Sequence, residues 1–179
     1  MSAHQPPPPF GQPHSPYPMS KPTGIPEGMA PLATAGQRFL ARLLDTLILG
    51  VIWTLALAST GALQSAMDDP DSPDIGKSIL SAIVTFIVYF VYEGAMLARD
   101  GQTLGKKAAG IRVAMLADGD VPRGRGWTRA AVYALPGVAQ PIGVGMLFWL
   151  LNSLWQSWDK PFRQCLHDKV AKTVVVEAR

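Results

Sequence analysis

The hydrophobic pattern of this chain is dominated by long apolar stretches that carry almost no charge. Residues 46–63 contain no charged side chain, and residues 78–92 are also uncharged before Glu93 and a further apolar turn. A helix needs about 20 apolar residues to cross the hydrocarbon core of a bilayer. Both stretches therefore predict transmembrane helices, the first of which begins near Arg38.

A third stretch, residues 130–157, is equally free of charge but is interrupted by proline and glycine at positions 136–137 and 141–143. Proline removes a backbone donor and bends a helix, so we expect a regular helix only over residues 144–158. The whole pattern predicts an all-α polytopic membrane protein with about three transmembrane regions, the third either re-entrant or made of two short helices. Tryptophans in this region are expected at the membrane interface: Trp149, Trp155 and Trp158.

Residues 1–35 differ in composition from the rest of the chain. They are rich in proline, glutamine, serine and histidine, and they contain no apolar stretch. Such a composition cannot bury a core and favours local polyproline II structure. We predict a disordered, cytoplasmic tail, either a flexible lead-in or a proline-rich ligand for a partner. A cleaved signal peptide is not expected, because a basic start and an apolar stretch are both missing.

Charge is distributed unevenly between the loops. The loop between the first two apolar stretches is acidic, and the loop between the second and third is basic. Because cytoplasmic loops are enriched in lysine and arginine, we expect the basic loop and the amino terminus in the cytoplasm, with the chain a multi-pass protein of the cell membrane. Basic residues also surround Cys165, which we expect on the same side. This favours a third region that returns to the side from which it enters.

The formal net charge of +3 does not point to nucleic acid, because the basic residues flank the apolar stretches as topology signals do. A single cysteine excludes an intramolecular disulfide.

A bundle of about three transmembrane regions shields its polar groups poorly, so we expect a homo-oligomer or a complex with another membrane protein. The remaining partner expected is the lipid bilayer, including anionic lipid beside the basic loop and tail.

One carboxylate inside the first apolar segment needs an explanation. Asp45 shares a helical stripe with Arg38 and Arg42, at spacings of four and seven residues from the first arginine. An ionised side chain at the centre of a membrane helix costs about 2.5–3.5 kcal/mol on insertion scales, and pairing reduces that cost. Either the arginines anchor the helix and hold Asp45 in a structural ion pair, or Asp45 lines a polar cleft that binds a ligand.

Residues 101–119 contain glycines and lysines in a pattern that superficially resembles a phosphate-binding loop. Only three residues separate Gly101 from Gly105, and lysine rather than serine or threonine follows Lys106, so we exclude nucleotide binding. The glycines are better explained as turns, including the one at Asp118-Gly119. Residues 173–176 are predicted to form a short cytoplasmic extended segment beside residues 111–116.

Near the carboxy terminus, Cys165, His167 and Asp168 combine a thiol, an imidazole and a carboxylate. We expect no metal site or thiol catalysis there, because near-consecutive residues do not converge on one atom and further ligands are missing nearby. Serine–histidine–aspartate sets, dinucleotide fingerprints and haem motifs are missing from the sequence. We therefore expect no enzyme activity, no catalytic residues and no cofactor.

Asp168 is instead expected to contribute to a charge network at the cytoplasmic membrane face. Its partner would be a cation, and the sequence leaves three alternatives open: Arg38, Arg42 or Arg129. Such a pair would close a network with Asp45 and Glu93.

Three ordered blocks of residues carry a resemblance to a known family. They are Arg38 with Asp45, Glu93 ahead of residues 100–106 and 110–113, and Leu166-His167-Asp168 followed by residues 173–176. These blocks resemble the RDD family of bacterial membrane proteins, over about residues 35–176. The family is named for one arginine and two aspartates, which here would be Arg38, Asp45 and Asp168. The resemblance implies an RDD-like transmembrane domain over residues 36–176 in the bacterial inner membrane, with solute or cation transport as the suggested activity.

Two functions are compatible with these features. In the first, the protein transports a cation, a proton or a small solute. Asp45 and Glu93 bind the ion in a cleft, while Arg38 and Asp168 set its affinity and gate the cytoplasmic mouth. In the second, the protein is a non-catalytic scaffold or assembly partner, and the same ion network only fixes helix packing.

Overall fold

A computed structural model describes residues 28–178, without the side chains of residues 140–142. The prediction of a disordered proline-rich tail falls mainly on residues 1–27, which lie outside the described residues. Within the described range the fold is mostly helical, with one small sheet. In chain order the elements are α1 (Ala35–Ser59), α2 (Ala62–Asp68), α3 (Ile75–Asp100), α4 (Leu104–Ala108), β1 (Ile111–Met115), α5 (Gly124–Ala134), a 3₁₀ segment (Leu135–Ile142), α6 (Val144–Trp155), α7 (Leu166–Ala171) and β2 (Thr173–Glu177).

Helices α1 and α3 are the two predicted spans. They contain 25 and 26 residues, about 38 Å each at 1.5 Å per residue, and both are long and apolar enough to cross a membrane. Side-chain caps define where each begins, because Thr34 accepts from the Gln37 N–H and Asp74 accepts from the Lys77 N–H. The two helices run antiparallel, with Thr60 bonded to Ser81 (2.7 Å between the two Oγ atoms) where the first ends and the second begins.

The third apolar region is broken, as its prolines predict. Helix α5 gives way to the 3₁₀ segment, and Gly143, at a φ of +78°, starts α6. The helix ends at Trp155, short of the expected residue 158. The Trp149 indole stacks on Tyr133 and donates to the Tyr133 carbonyl at 2.9 Å, and its place at the membrane interface stays a prediction. Trp158, in contrast, is 56% exposed.

A small layer of short helices and strands, which we call the cap, covers one end of the long helices. The predicted pairing of extended segments is confirmed, because β1 and β2 form an antiparallel ladder with Met115 opposite Thr173. The turn expected at Asp118-Gly119 is also present, and Gly119 adopts a φ of +77°. Helices α4 and α7 complete the cap. It therefore combines chain segments that follow α3 with segments that follow α6.

The segment before α1 belongs to the same cap. Leu32 forms an antiparallel bridge with Val176, and the Ala33 N–H donates to the Val175 carbonyl at 3.1 Å. Ala30 and Ala33 are buried against the strands. The packed part of the chain thus begins before residue 36, the boundary expected from the sequence, because the apolar residues of this short segment pack on the edge of the sheet.

Close helix packing near the cap depends on glycine. At Gly94 of α3, a Cβ atom would lie 2.2 Å from the ring of Trp127 in α5. Because Gly94 has no side chain, the Trp127 indole can lie directly against the α3 backbone. Trp127 also packs on Phe90, with ring centroids 5.2 Å apart.

We expect Gly94→Ala to lower the free energy of unfolding by about 1–3 kcal/mol, because the added methyl group overlaps the Trp127 ring. Gly50→Ala in α1 is the matched control, since a Cβ there meets nothing within 4 Å. The measurement is thermal or denaturant unfolding in a mild detergent. Equal stability of the two variants would contradict the packing described here.

Candidate functional site

A line of buried acidic and basic side chains runs between the helices where the cap meets the long helices. Its members are Asp45 of α1, Lys106 of α4, Glu93 of α3, Arg129 of α5 and Asp168 of α7, and none is more than 4% exposed. We call these five residues the charge chain. Each comes from a different helix, so the chain connects all the elements that meet at this level.

Charges alternate along this line. The Lys106 ammonium lies 3.3 Å from Asp45 Oδ2 and 3.9 Å from Glu93 Oε1. The Arg129 guanidinium donates to the same Glu93 oxygen at 3.0 Å and to Asp168 Oδ1 at 2.8 Å. Each cation therefore lies between two carboxylates, an arrangement that lowers the cost of burying all five groups.

Asp45 is surrounded by donors from the protein itself. Besides Lys106, the Thr103 hydroxyl donates to Oδ2 at 2.7 Å, and the Gly105 N–H donates to Oδ1 at 3.1 Å. A side chain at Gly105 would collide with α1, because a Cβ there would lie 2.3 Å from the Ala41 carbonyl oxygen. The glycine and lysine pattern that superficially resembles a phosphate loop thus binds the protein's own carboxylate.

Asp168 is held in the same way at the other end. It accepts from Arg129, from the Cys165 N–H at 3.2 Å and from the Thr173 hydroxyl at 3.2 Å. Burial opposes its ionisation, but the Arg129 charge and these donors outweigh that penalty and hold the pKa of the Asp168 carboxyl well below its usual value. Burial also lowers the pKa of the Lys106 ammonium, and the charges of Asp45 and Glu93 oppose this effect.

The sequence-based expectation that Cys165, His167 and Asp168 do not converge is wrong. One turn of α7 brings a thiol, an imidazole nitrogen and a carboxylate oxygen within 4.8 Å of one another. All three groups have competing interactions, however. Burial raises the pKa of the Cys165 thiol to about 11, and the Asp168 carboxylate is bound to Arg129.

His167 is neutral in this environment. Burial, and then the Arg129 charge, lower its pKa well below the usual value. Its Nδ1 lies 2.7 Å from Asn152 Oδ1, which also accepts from the His167 backbone N–H, so we assign the ring proton to Nδ1. The opposite nitrogen, Nε2, is buried with no hydrogen-bond partner within residues 28–178.

The expected pairing of Arg38 with Asp45 is also wrong, and Lys106 occupies that position. The first turn of α1 lies inside the cap, where the Arg38 guanidinium donates to the carbonyls of Ala33 (3.2 Å), Arg163 (2.6 Å) and Val175 (3.0 Å). The Arg42 guanidinium stacks over the Tyr133 ring, 4.2 Å from its centroid.

Of the four residues expected in an ion network, the structure brings Asp45, Glu93 and Asp168 into one chain and leaves Arg38 beside it. Arg129 was one of three candidate partners for Asp168, and the structure selects it. Lys106 was missed as a member. The signal that could have identified it is its position three residues after the helix-capping Thr103, in a segment that packs closely on α1 at Gly105.

The charge chain should be most sensitive at Arg129, the cation with the shorter contacts to its two carboxylates. We expect Arg129→Met to lower the free energy of unfolding by about 3–5 kcal/mol, because it leaves two buried carboxylates with too few donors. Arg99→Met removes an exposed arginine of α3, and we expect a change within about 0.5 kcal/mol. Unfolding in detergent measures both. A loss at Arg129 no larger than at Arg99 would show that the charge chain does not stabilise the protein.

A known protein family matches the part of the chain that contains these residues. The model of the RDD family matches residues 32–172, a range that begins at the residue bridged to β2 and includes the whole charge chain. No curated protein and no solved structure matches the chain. The resemblance inferred from the residue blocks is confirmed. Because the match covers most of the 179 residues, this chain belongs to the RDD family.

Proposed function

We propose that this RDD protein is a non-catalytic, multi-pass protein of the cell membrane that acts in assembly, with further copies of itself or with another membrane protein. One observation carries the proposal. Every carboxylate of the charge chain is already paired with a cation of the protein, and Asp45 accepts donors on both oxygens. The acids of the charge chain thus hold helices together, which favours a structural role over the binding of an external cation.

The cap supports a specific topology. The segment before α1, the segment after α3 and the carboxy-terminal strand pack in one layer, so they lie on one side of the membrane. Helices α5 and α6 contain 11 and 12 residues, about 17 Å each, and neither reaches across a core of about 30 Å. We infer that α1 and α3 cross the membrane, that the third region is re-entrant, and that the basic cap is cytoplasmic.

Cysteine labelling in intact cells tests this topology. Native Cys165 is buried and a poor probe, so it is first replaced by serine. In that background we expect a membrane-impermeant maleimide to modify Ser72→Cys, in the acidic loop, without permeabilisation. Val170→Cys, on the exposed face of α7, should react only after permeabilisation. The opposite pattern would reverse the orientation, and labelling of both in intact cells would contradict the re-entrant region.

Transport of a cation, a proton or a small solute is the second candidate. It is favoured by Glu93 Oε2 and His167 Nε2, two potential proton acceptors that are buried with no hydrogen-bond partner within the described residues. They lie on either side of Arg129 and Asp168. In this candidate Glu93 would be the carrier rather than Asp45, and the cation it exchanges would compete with Lys106 and Arg129.

Variants of the Asp45–Lys106 pair test whether it is structural, and a transport assay then tests the second candidate. Asp45→Asn and Lys106→Met each break a buried pair, whereas the double variant removes both charges. For an assembly protein we expect the double variant to lose less stability than the sum of the single losses and to keep the oligomer size of the wild type, measured by light scattering in detergent.

The transport arm uses purified protein in liposomes with an imposed pH gradient, an internal pH dye, and sodium, potassium or lithium outside. We expect no dissipation of the gradient by wild type, at a density where a known antiporter dissipates it. Dissipation by wild type that Glu93→Gln abolishes, with folding intact, would replace the assembly proposal by transport.

A further inference from the structure

A second polar feature lies beside the charge chain. A cavity of about 110 Å³ is enclosed by the first turns of α1, the end of α6 and the cap. This is several times the ~30 Å³ that one water occupies in the liquid. The charged side chains that line it are four cations and one carboxylate: Arg38, Arg42, Lys106, Arg129 and Asp168.

Two of these cations have no carboxylate partner within residues 28–178. Lys106 and Arg129 are neutralised within the charge chain, but the hydrogen bonds of the Arg38 guanidinium within this range all go to backbone carbonyls. Arg42 stacks on Tyr133, and its NH1 atom is buried with no hydrogen-bond partner in the part of the chain that the structure describes. A buried guanidinium with an unused donor is costly, and an anion in the cavity would remove that cost.

The cavity opens where lipid headgroups would lie. Phe39, on the second turn of α1, lines it and is 70% exposed. A neighbouring cavity of about 230 Å³ shares Arg38 and Gln156 with it and adds Lys160, Arg163 and one carboxylate, Asp159. Asp159 is paired with Lys169, so the cations remain in excess. The positive field therefore continues from the buried guanidiniums to the surface of the cap, as it does in sites that attract anions.

We propose that this cavity binds a phosphate group through the guanidiniums of Arg38 and Arg42. Arginine suits phosphate because its planar fork donates two parallel hydrogen bonds to neighbouring oxygens. The group could be the headgroup of an anionic lipid or free phosphate, and both present the same chemistry. This site is independent of the assembly role, because Arg38 and Arg42 lie outside the charge chain.

Two ligand arms identify the source, with full-length, delipidated protein in a neutral detergent. The first compares sodium phosphate with sodium chloride at equal ionic strength and pH. The second compares phosphatidylglycerol with phosphatidylcholine in mixed micelles, with melting temperature and native mass spectrometry as readouts. Selective retention of phosphatidylglycerol assigns the site to a lipid, and selective stabilisation by phosphate assigns it to the free anion. The absence of both effects overturns the proposal.

Variants test the residues. Arg42→Gln should weaken binding of the active ligand about tenfold or more, because it removes a charged hydrogen-bond donor. Arg99→Gln removes an exposed arginine from the last turn of α3, next to the cap. This control should weaken ligand binding less than about twofold. Equal losses in the two variants would show a general surface-charge effect and overturn the site.

A further variant tests the cavity if Arg42→Gln does not fold. Ser153 of α6 is half-buried and lines the cavity, so Ser153→Glu places a carboxylate opposite the two guanidiniums. We expect this variant to abolish binding of the phosphate group without lowering the melting temperature of the ligand-free protein. Undiminished binding in the folded Ser153→Glu protein would overturn the proposal.

Discussion

The alternation of charge from Asp45 to Asp168 is the interaction on which the rest of this structure depends. An isolated buried carboxylate is strongly disfavoured, so each acid can remain in place only if the next helix delivers its cation at the right height. Arg129 pairs with both Glu93 and Asp168. The positions of α3, α5 and α7 are consequently interdependent, and α4 couples them to α1 through Lys106.

Apolar packing alone would not define this arrangement. Much of the surface of α1 and α3 is exposed and apolar, as expected for helices that face lipid, and lipid competes with side chains for such contacts. Close approach is possible where the side chain is missing, at Gly94 against Trp127 and at Gly105 against α1. Glycine therefore permits the helices to come together, while the ion pairs determine which residues meet.

The charge chain and the neighbouring cavity together have an asymmetric distribution of acids and cations. On the side of α4, Asp45 accepts hydrogen bonds from Thr103, Gly105 and Lys106, and both of its oxygens are engaged. On the side of α6 and the cap, guanidiniums outnumber acids, and one donor of Arg42 is unused within residues 28–178. Structural and ligand-binding roles can thus coexist within one polar layer, because different side chains carry them. A site for an anion is easier to reconcile with this distribution than a site for a cation.

The sequence by itself determined the two apolar spans, the break of the third region at its prolines, the pairing of residues 111–116 with 173–176, and the acids of the network, because periodicity, proline chemistry and the cost of buried charge are local properties. Only the tertiary structure decided which cation each acid meets. Arginines four and seven residues apart on one helix can reach many partners, and the choice depends on where α4 and α5 lie against α1 and α3. Lys106 therefore replaced Arg38 beside Asp45, and Arg38 bonded to the carbonyls of the cap.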